Sequence, residues 1–155
     1  MKKIFLMLIA MLLISGFSYS QKVTADKVPA EVKTAFQKMF PTATKVAYEM
    51  EKADYEISFM LDGTECSANF DKTGKWLETE TELNDAQIPA AVKATLAKEF
   101  EGYKTKESVK LETPETAAVY EFDVAKGESL FEVQIARDGK LLKKQAVTEE
   151  DEEKD

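Results

Sequence analysis

What most constrains the fold of this chain is that it contains the same stretch twice. VPAEVKTAFQKMF, at Val28 to Phe40, matches IPAAVKATLAKEF, at Ile88 to Phe100, at an offset of 60 residues. A second match, at an offset of 65, lays YEISF from Tyr55 over YEFDV from Tyr120, and FDKTGKWL from Phe70 over IARDGKLL from Ile135. Two matches in the same order and nearly the same phase indicate a tandem duplication. A half of about 60 residues buries too little surface to be comfortably stable alone, so the halves are expected to join.

Each repeat opens on a helix. Val28, Val32, Ala35, Phe36, Met39 and Phe40 share one stripe at helical spacing, with Glu31, Lys33, Gln37 and Lys38 outside it. Pro29 and Pro89 fit a first helical turn, where the missing amide hydrogen has no intrahelical partner to lose. Pro41 is expected to stop the first helix and Gly102 the second.

Period-2 alternation follows each helix. In the first repeat it marks strands at Lys45 to Glu51, Tyr55 to Leu61, Glu65 to Phe70 and Trp76 to about Thr81, with turns at Asp62-Gly63 and across Asp71 to Lys75. The second repeat gives strands near Thr105 to Glu112, Val119 to Ala125, Ser129 to Ala136 and Lys140 to Gln145, with turns at Lys126-Gly127 and Asp138-Gly139. The predicted class is α+β: two tandem units of one helix and four antiparallel strands, with the helices packed on the apolar face and the polar face left in water. The first unit occupies residues 21–84 and the second 85–147, followed by an acidic tail at 148–155 with nothing to bury and expected to be disordered.

The chain begins with Lys2, Lys3, an apolar run from Ile4 to Ile14, and small residues at Ser18 and Ser20, the pattern of a secretory signal cleaved before Gln21. That run is shorter than the roughly 20 residues needed to span a bilayer as a helix. No cysteine stands just after it, as a lipid-attachment signal would need, so a soluble periplasmic or secreted protein is expected. Losing Lys2 and Lys3 with the leader takes the net charge from −8 to −10, which disfavours nucleic acid and anionic lipid as partners.

The sequence has no histidine and one cysteine, Cys66. The first fact removes the commonest general base and transition-metal ligand; the second rules out an intramolecular disulfide. Cys66 alternates in phase with Ala68 and Phe70 and is expected to be a buried, inert thiol. Glu78, Glu80 and Glu82 share one face of the fourth strand, but no calcium-loop motif accompanies them, and neither a metal nor a cofactor is expected. No catalytic constellation is evident.

From Val28 to Gln145 the chain resembles the PepSY-like, β-lactamase-inhibitor-like (BLIP-like) family of exported bacterial proteins. The likeness rests on VPAEVKTAFQKMFP, on YEISFMLDGTECSANFDKTGKWLETE, and on the same plan repeated from Ile88. It implies one curved antiparallel sheet with both helices on one side. It also implies a binding role, since the namesake inhibitor grips its enzyme through the concave sheet face and loops, and PepSY domains are associated with peptidase inhibition. The namesake's domains are disulfide-stabilised, which a single cysteine cannot reproduce.

Alternation puts Glu49, Glu51, Glu56 and Glu65 of the first repeat and Glu121, Asp123 and Glu132 of the second on the face away from the helices. Such a face could keep an exported protein soluble, or serve as an electrostatic platform for a basic protein or peptide. Trp76 depends on its turn. A three-residue hairpin at Lys72-Thr73-Gly74 pairs Phe70 with Trp76 and sends the indole to the helix side, whereas a bulge at Gly74 or beyond sends it outward, to anchor a partner beside Met60. The reading is a non-enzymatic binding or inhibitor-like protein; the alternative is an envelope-maintenance protein without a specific partner.

Overall fold

The computed structural model describes residues 21–116 and 118–147, with the side chain of Glu51 outside the described part. The signal expected at 1–20 and the tail expected at 148–155 lie outside the described residues. The elements are β1 (Gln21–Val23), α1 (Ala30–Met39), β2 (Thr44–Glu51), β3 (Asp54–Leu61), β4 (Thr64–Asp71), β5 (Trp76–Glu82), a 3-10 turn (Asp85–Gln87), α2 (Ala90–Glu99), β6 (Lys104–Glu112), β7 (Val119–Lys126), β8 (Ser129–Ala136) and β9 (Leu141–Ala146). The strands form a nine-stranded antiparallel sheet in chain order, so the protein is α+β. Only β1 and the 3-10 turn lack a counterpart in the alternation pattern, because three residues are too few to show a period.

Both prolines stand one position earlier than a first-turn residue. Pro29 and Pro89 are the N-caps, with extended ψ of 144° and 146° and φ of −52° and −58°. The fixed ring angle sets the entry of the chain, and each carbonyl already accepts from the backbone four residues on, at Lys33 and Lys93. The helices end at Met39 and Glu99, and Gly102, with φ of +80°, carries the chain away from α2.

α1 lays Val32 and Phe36, with Val28 before it, onto Ile57 and Phe59 of β3 and Cys66, Ala68 and Phe70 of β4. In the second half Val92 and Phe100 cover Tyr120, Phe122 and Val124 of β7 and Val133 and Ile135 of β8. Each fully buried aromatic or branched side chain contributes about 1.5–3 kcal/mol, so these clusters carry most of the stability. They lie on the same side of the sheet but do not merge. The register places Thr79 and Thr81 of β5 beside Glu112 and Lys110 of β6 on that side, a polar strip between two apolar patches. The halves are joined by backbone pairing of Thr79 to Glu82 with Val109 to Glu112.

The hairpins that follow β4 and β8 are built alike. Asp71 N–H donates to the Lys75 carbonyl and Gly74 N–H to the Asp71 carbonyl, and Ala136, Lys140 and Gly139 repeat both bonds. After each hairpin one residue is extra. Phe70 pairs with Trp76 but Asn69 pairs with Glu78, bulging Leu77; Ile135 pairs with Leu141 but Gln134 pairs with Lys143, bulging Leu142. An extra residue reverses which face every later side chain of the strand points to.

Candidate functional site

The pairing of Trp76 with Phe70, ahead of the Leu77 bulge, settles the position of Trp76. The indole lies on the helix side, against the first core, and its Nε1–H donates to Thr79 Oγ1 at 2.8 Å. The hairpin is the three-residue one and the bulge comes just after Trp76, so the helix-side alternative holds and the other, Trp76 as an anchor on the open face, is corrected. Met60 does lie on that face, half-buried, opposite Glu65, which is exposed at the start of β4.

Beyond the bulge Glu78 pairs with Asn69 and Glu80 with Ser67, so Glu78, Glu80 and Glu82 join the carboxylates on the face away from the helices. Glu107 of β6 reaches it too, opposite Asp123. Sequence reasoning did not assign these four to the face. The available signal was a conflict of parity: Trp76 and Glu78 are both even-numbered in one strand, yet one is apolar and the other charged.

The remaining residues fall where alternation puts them. Glu49 stands opposite Glu56, Asp123 opposite Glu132, and Glu121 opposite Gln134; Glu51 is opposite Asp54 in register. The first repeat supplies Glu49, Glu56, Glu78 and Glu80, and the second Glu107, Glu121, Asp123 and Glu132. The β5–β6 junction brings them into one array that spans seven strands, β2 to β8.

This face is not left in water, which corrects the simple picture of a solvated polar side. Ser67 is 1 % exposed, Asn69 6 %, Glu80 7 % and Glu132 1 %. Long side chains lie across the strands and cover one another. Asn69 Nδ2 donates to Glu78 Oε1 at 2.7 Å, Gln134 Nε2 to Glu121 Oε2 at 2.7 Å, and Lys143 Nζ to Glu132 Oε1 at 2.7 Å. Val109 and Val119 are buried among them.

Burial changes the acid chemistry. Desolvation, reinforced by the charges of Glu121, Glu78, Glu56 and Glu107, pushes the Glu80 carboxyl up to about 8. Desolvation also lifts Glu121 to about 7; Glu132 and Asp123 add to this, while Gln134 and Lys143 oppose it. Asp123 and Glu107 are raised from their ordinary values as well, again mainly by desolvation. On the other face Cys66 is 5 % exposed, and burial pushes its thiol up, as an inert core cysteine requires. Among the described residues no group of three or more acidic or sulfur ligands converges as a metal centre would need.

The family model described as "Putative beta-lactamase-inhibitor-like, PepSY-like" matches residues 18–65 and again residues 58–143. No curated protein matches the chain. The fold is similar to a BLIP-like protein from Bacteroides fragilis NCTC 9343, at 29% identity and a TM-score of 0.72 over 77% of this chain and 87% of that one. It is also similar to a protein from Bacteroides eggerthii DSM 20697 described as periplasmic, at 26% identity and a TM-score of 0.74 over 78% and 90% of the two chains. A DUF2874 family protein from Bacteroides ovatus ATCC 8483, 22% identical with a TM-score of 0.74, shares the fold over 79% of this chain and 89% of its own.

Proposed function

The chain belongs to the PepSY-like, beta-lactamase-inhibitor-like family, and on that premise we propose that it is an exported, non-enzymatic binding protein that engages a basic protein or peptide through the carboxylate face of its sheet. Its halves are read as duplicated units of one helix and four strands, whose polar faces combine into one platform. Export agrees with the periplasmic description of the Bacteroides eggerthii relative. Among the described residues no helix is long and apolar enough to cross a membrane.

The observation that carries the reading is that carboxylates on this face are buried and set against one another. Like charges directly opposite in a sheet are destabilising, as at Asp123 and Glu132. Solubility needs exposed charge, and carboxylates that are 7 % and 1 % exposed, like Glu80 and Glu132, add little to it. A cationic partner turns the same arrangement into attraction and speeds its own arrival by electrostatic steering.

The test is capture from envelope extract on immobilised chain. A partner should be retained at about 50 mM salt and released at about 500 mM, where the screening length falls to a few ångströms. Replacing Glu56, Glu78 and Glu121 together by glutamine should abolish retention. Retention unchanged by salt or by the triple variant, or no retention at all, refutes the platform.

A further inference from the structure

We propose that Glu132, with Asp123 beside it, is a seat for a guanidinium group, and that the partner's arginine side chain takes this seat by displacing Lys143. The inference rests on the binding role of the carboxylate face and names the group recognised there.

Glu132 lies on β8 with 1 % of its surface exposed. Its Oε1 accepts from Lys143 Nζ at 2.7 Å, whereas its Oε2 is buried and accepts a hydrogen bond from no group among the described residues. A buried carboxylate oxygen left unsatisfied costs about 1–3 kcal/mol or more. The fold itself does not demand the glutamate. With the 65-residue offset and the same register, the first half has Ser67 where the second has Glu132, and Glu78 where the second has Lys143. The second half therefore carries a buried carboxylate, and a cation to cover it, at a position that a small hydroxyl fills in the first.

The ammonium of Lys143 satisfies only one of the two oxygens. A guanidinium presents two parallel N–H groups at carboxylate spacing, so it would bind both Glu132 oxygens at once and still have donors for Asp123, directly across on β7. Glu121 is held by Gln134 and does not compete for the seat. Lys143 is free to leave: β9 is the last strand of the sheet and the lysine side chain is already 26% exposed. A metal ion is the poorer occupant, because among the described residues no three carboxylates converge as a metal centre would need.

Three capped hexapeptides that alternate serine with arginine, lysine or citrulline, the last a neutral near-isostere of arginine, test the seat by calorimetry or NMR titration of the chain from residue 21. The arginine peptide should bind about tenfold or more tighter than the lysine peptide, and the citrulline peptide should not bind. Glu132→Gln should cost about tenfold for arginine and erase the preference over lysine, and Asp123→Asn should cost less. Glu56→Gln, on the same face in the first half, should cost less than Glu132→Gln. Lys143→Met, which removes the occupant, should tighten arginine binding several-fold. Thermal melts of each variant establish that it is folded. Equal binding of the arginine and lysine peptides, or a Glu132→Gln loss no larger than that of Glu56→Gln, overturns the seat while leaving the acidic platform standing. Absence of any binding at low salt overturns both.

Discussion

The carbonyl oxygen of Glu31, in the first turn of α1, stands 2.6 Å from where a β-carbon on Gly74 would lie, and the Ala91 carbonyl of α2 stands 2.8 Å from the same point on Gly139. The hairpin after β4 tucks under α1, and the hairpin after β8 under α2. Gly74 and Gly139 also have φ of +81° and +90°. Each therefore needs glycine twice over, for backbone angle and for space. Gly74→Ala and Gly139→Ala should each cost about 2–4 kcal/mol in chemical denaturation. Gly63, with φ of +85° but open space around it, should cost only about 1 kcal/mol. Equal losses at Gly63 and Gly74 would show that helix contact contributes nothing.

Stability should fall as pH rises from about 5 to 8.5. The folded state holds protons on Glu80 and Glu121 at pH values where the unfolded chain, with ordinary carboxyls near 4.5, has released them. The stability supplied by the neutral carboxyls is thus fully present below the unfolded value and is lost as pH climbs to about 7 and 8. The loss should be on the order of a few kcal/mol, read as a drop of roughly 10 °C in Tm. A Tm that is flat or rises across this window contradicts the buried acidic array.

Glu80→Gln isolates that effect. Glutamine matches the neutral acid in shape and carries no charge near Glu121, Glu78, Glu56 and Glu107. The variant should match the parent in Tm near pH 5 and exceed it by several degrees near pH 8.5. Differential scanning calorimetry at the two pH values decides it.

Phe36→Ala should cost about 3–5 kcal/mol. The ring is 4 % exposed and lies 5.0 Å from Phe59, edge on, as well as 5.5 Å from Phe40. Because the halves share one sheet through β5 and β6, the variant should still melt in one transition, with circular dichroism and Trp76 fluorescence coincident. Two separated transitions would mean that each core folds by itself.

Trp76 offers a check on which face binds. Since the indole lies against the α1 core, a basic peptide docked on the carboxylate face should leave its emission maximum and its quenching by iodide unchanged. A shift on binding would place the peptide on the helix side.

Much of the architecture was legible in the sequence because it was written twice and in a simple period. The stripe of Val28, Val32 and Phe36 located α1 to within two residues, and alternation around Ile57, Ala68, Phe122 and Val133 located four strands and their inner faces. The turn residues marked the hairpins. The candidate face was legible only in part. Glu49, Glu56, Glu121, Asp123 and Glu132 followed from parity, but Glu78, Glu80 and Glu82 depended on a single bulged residue, Leu77, that no residue type announces.

By itself the sequence determined the α+β class, the order of elements and the acidic character of one face, because these depend on local periodicity and composition. Tertiary structure decided which side the fifth strand shows its carboxylates, how deeply Glu80 and Glu132 sink, and that Lys143 covers one oxygen of Glu132 and not the other. The physical reason is that face, burial and partner are set by register between strands distant in sequence. A shift of one residue there reverses a whole strand without altering any local preference.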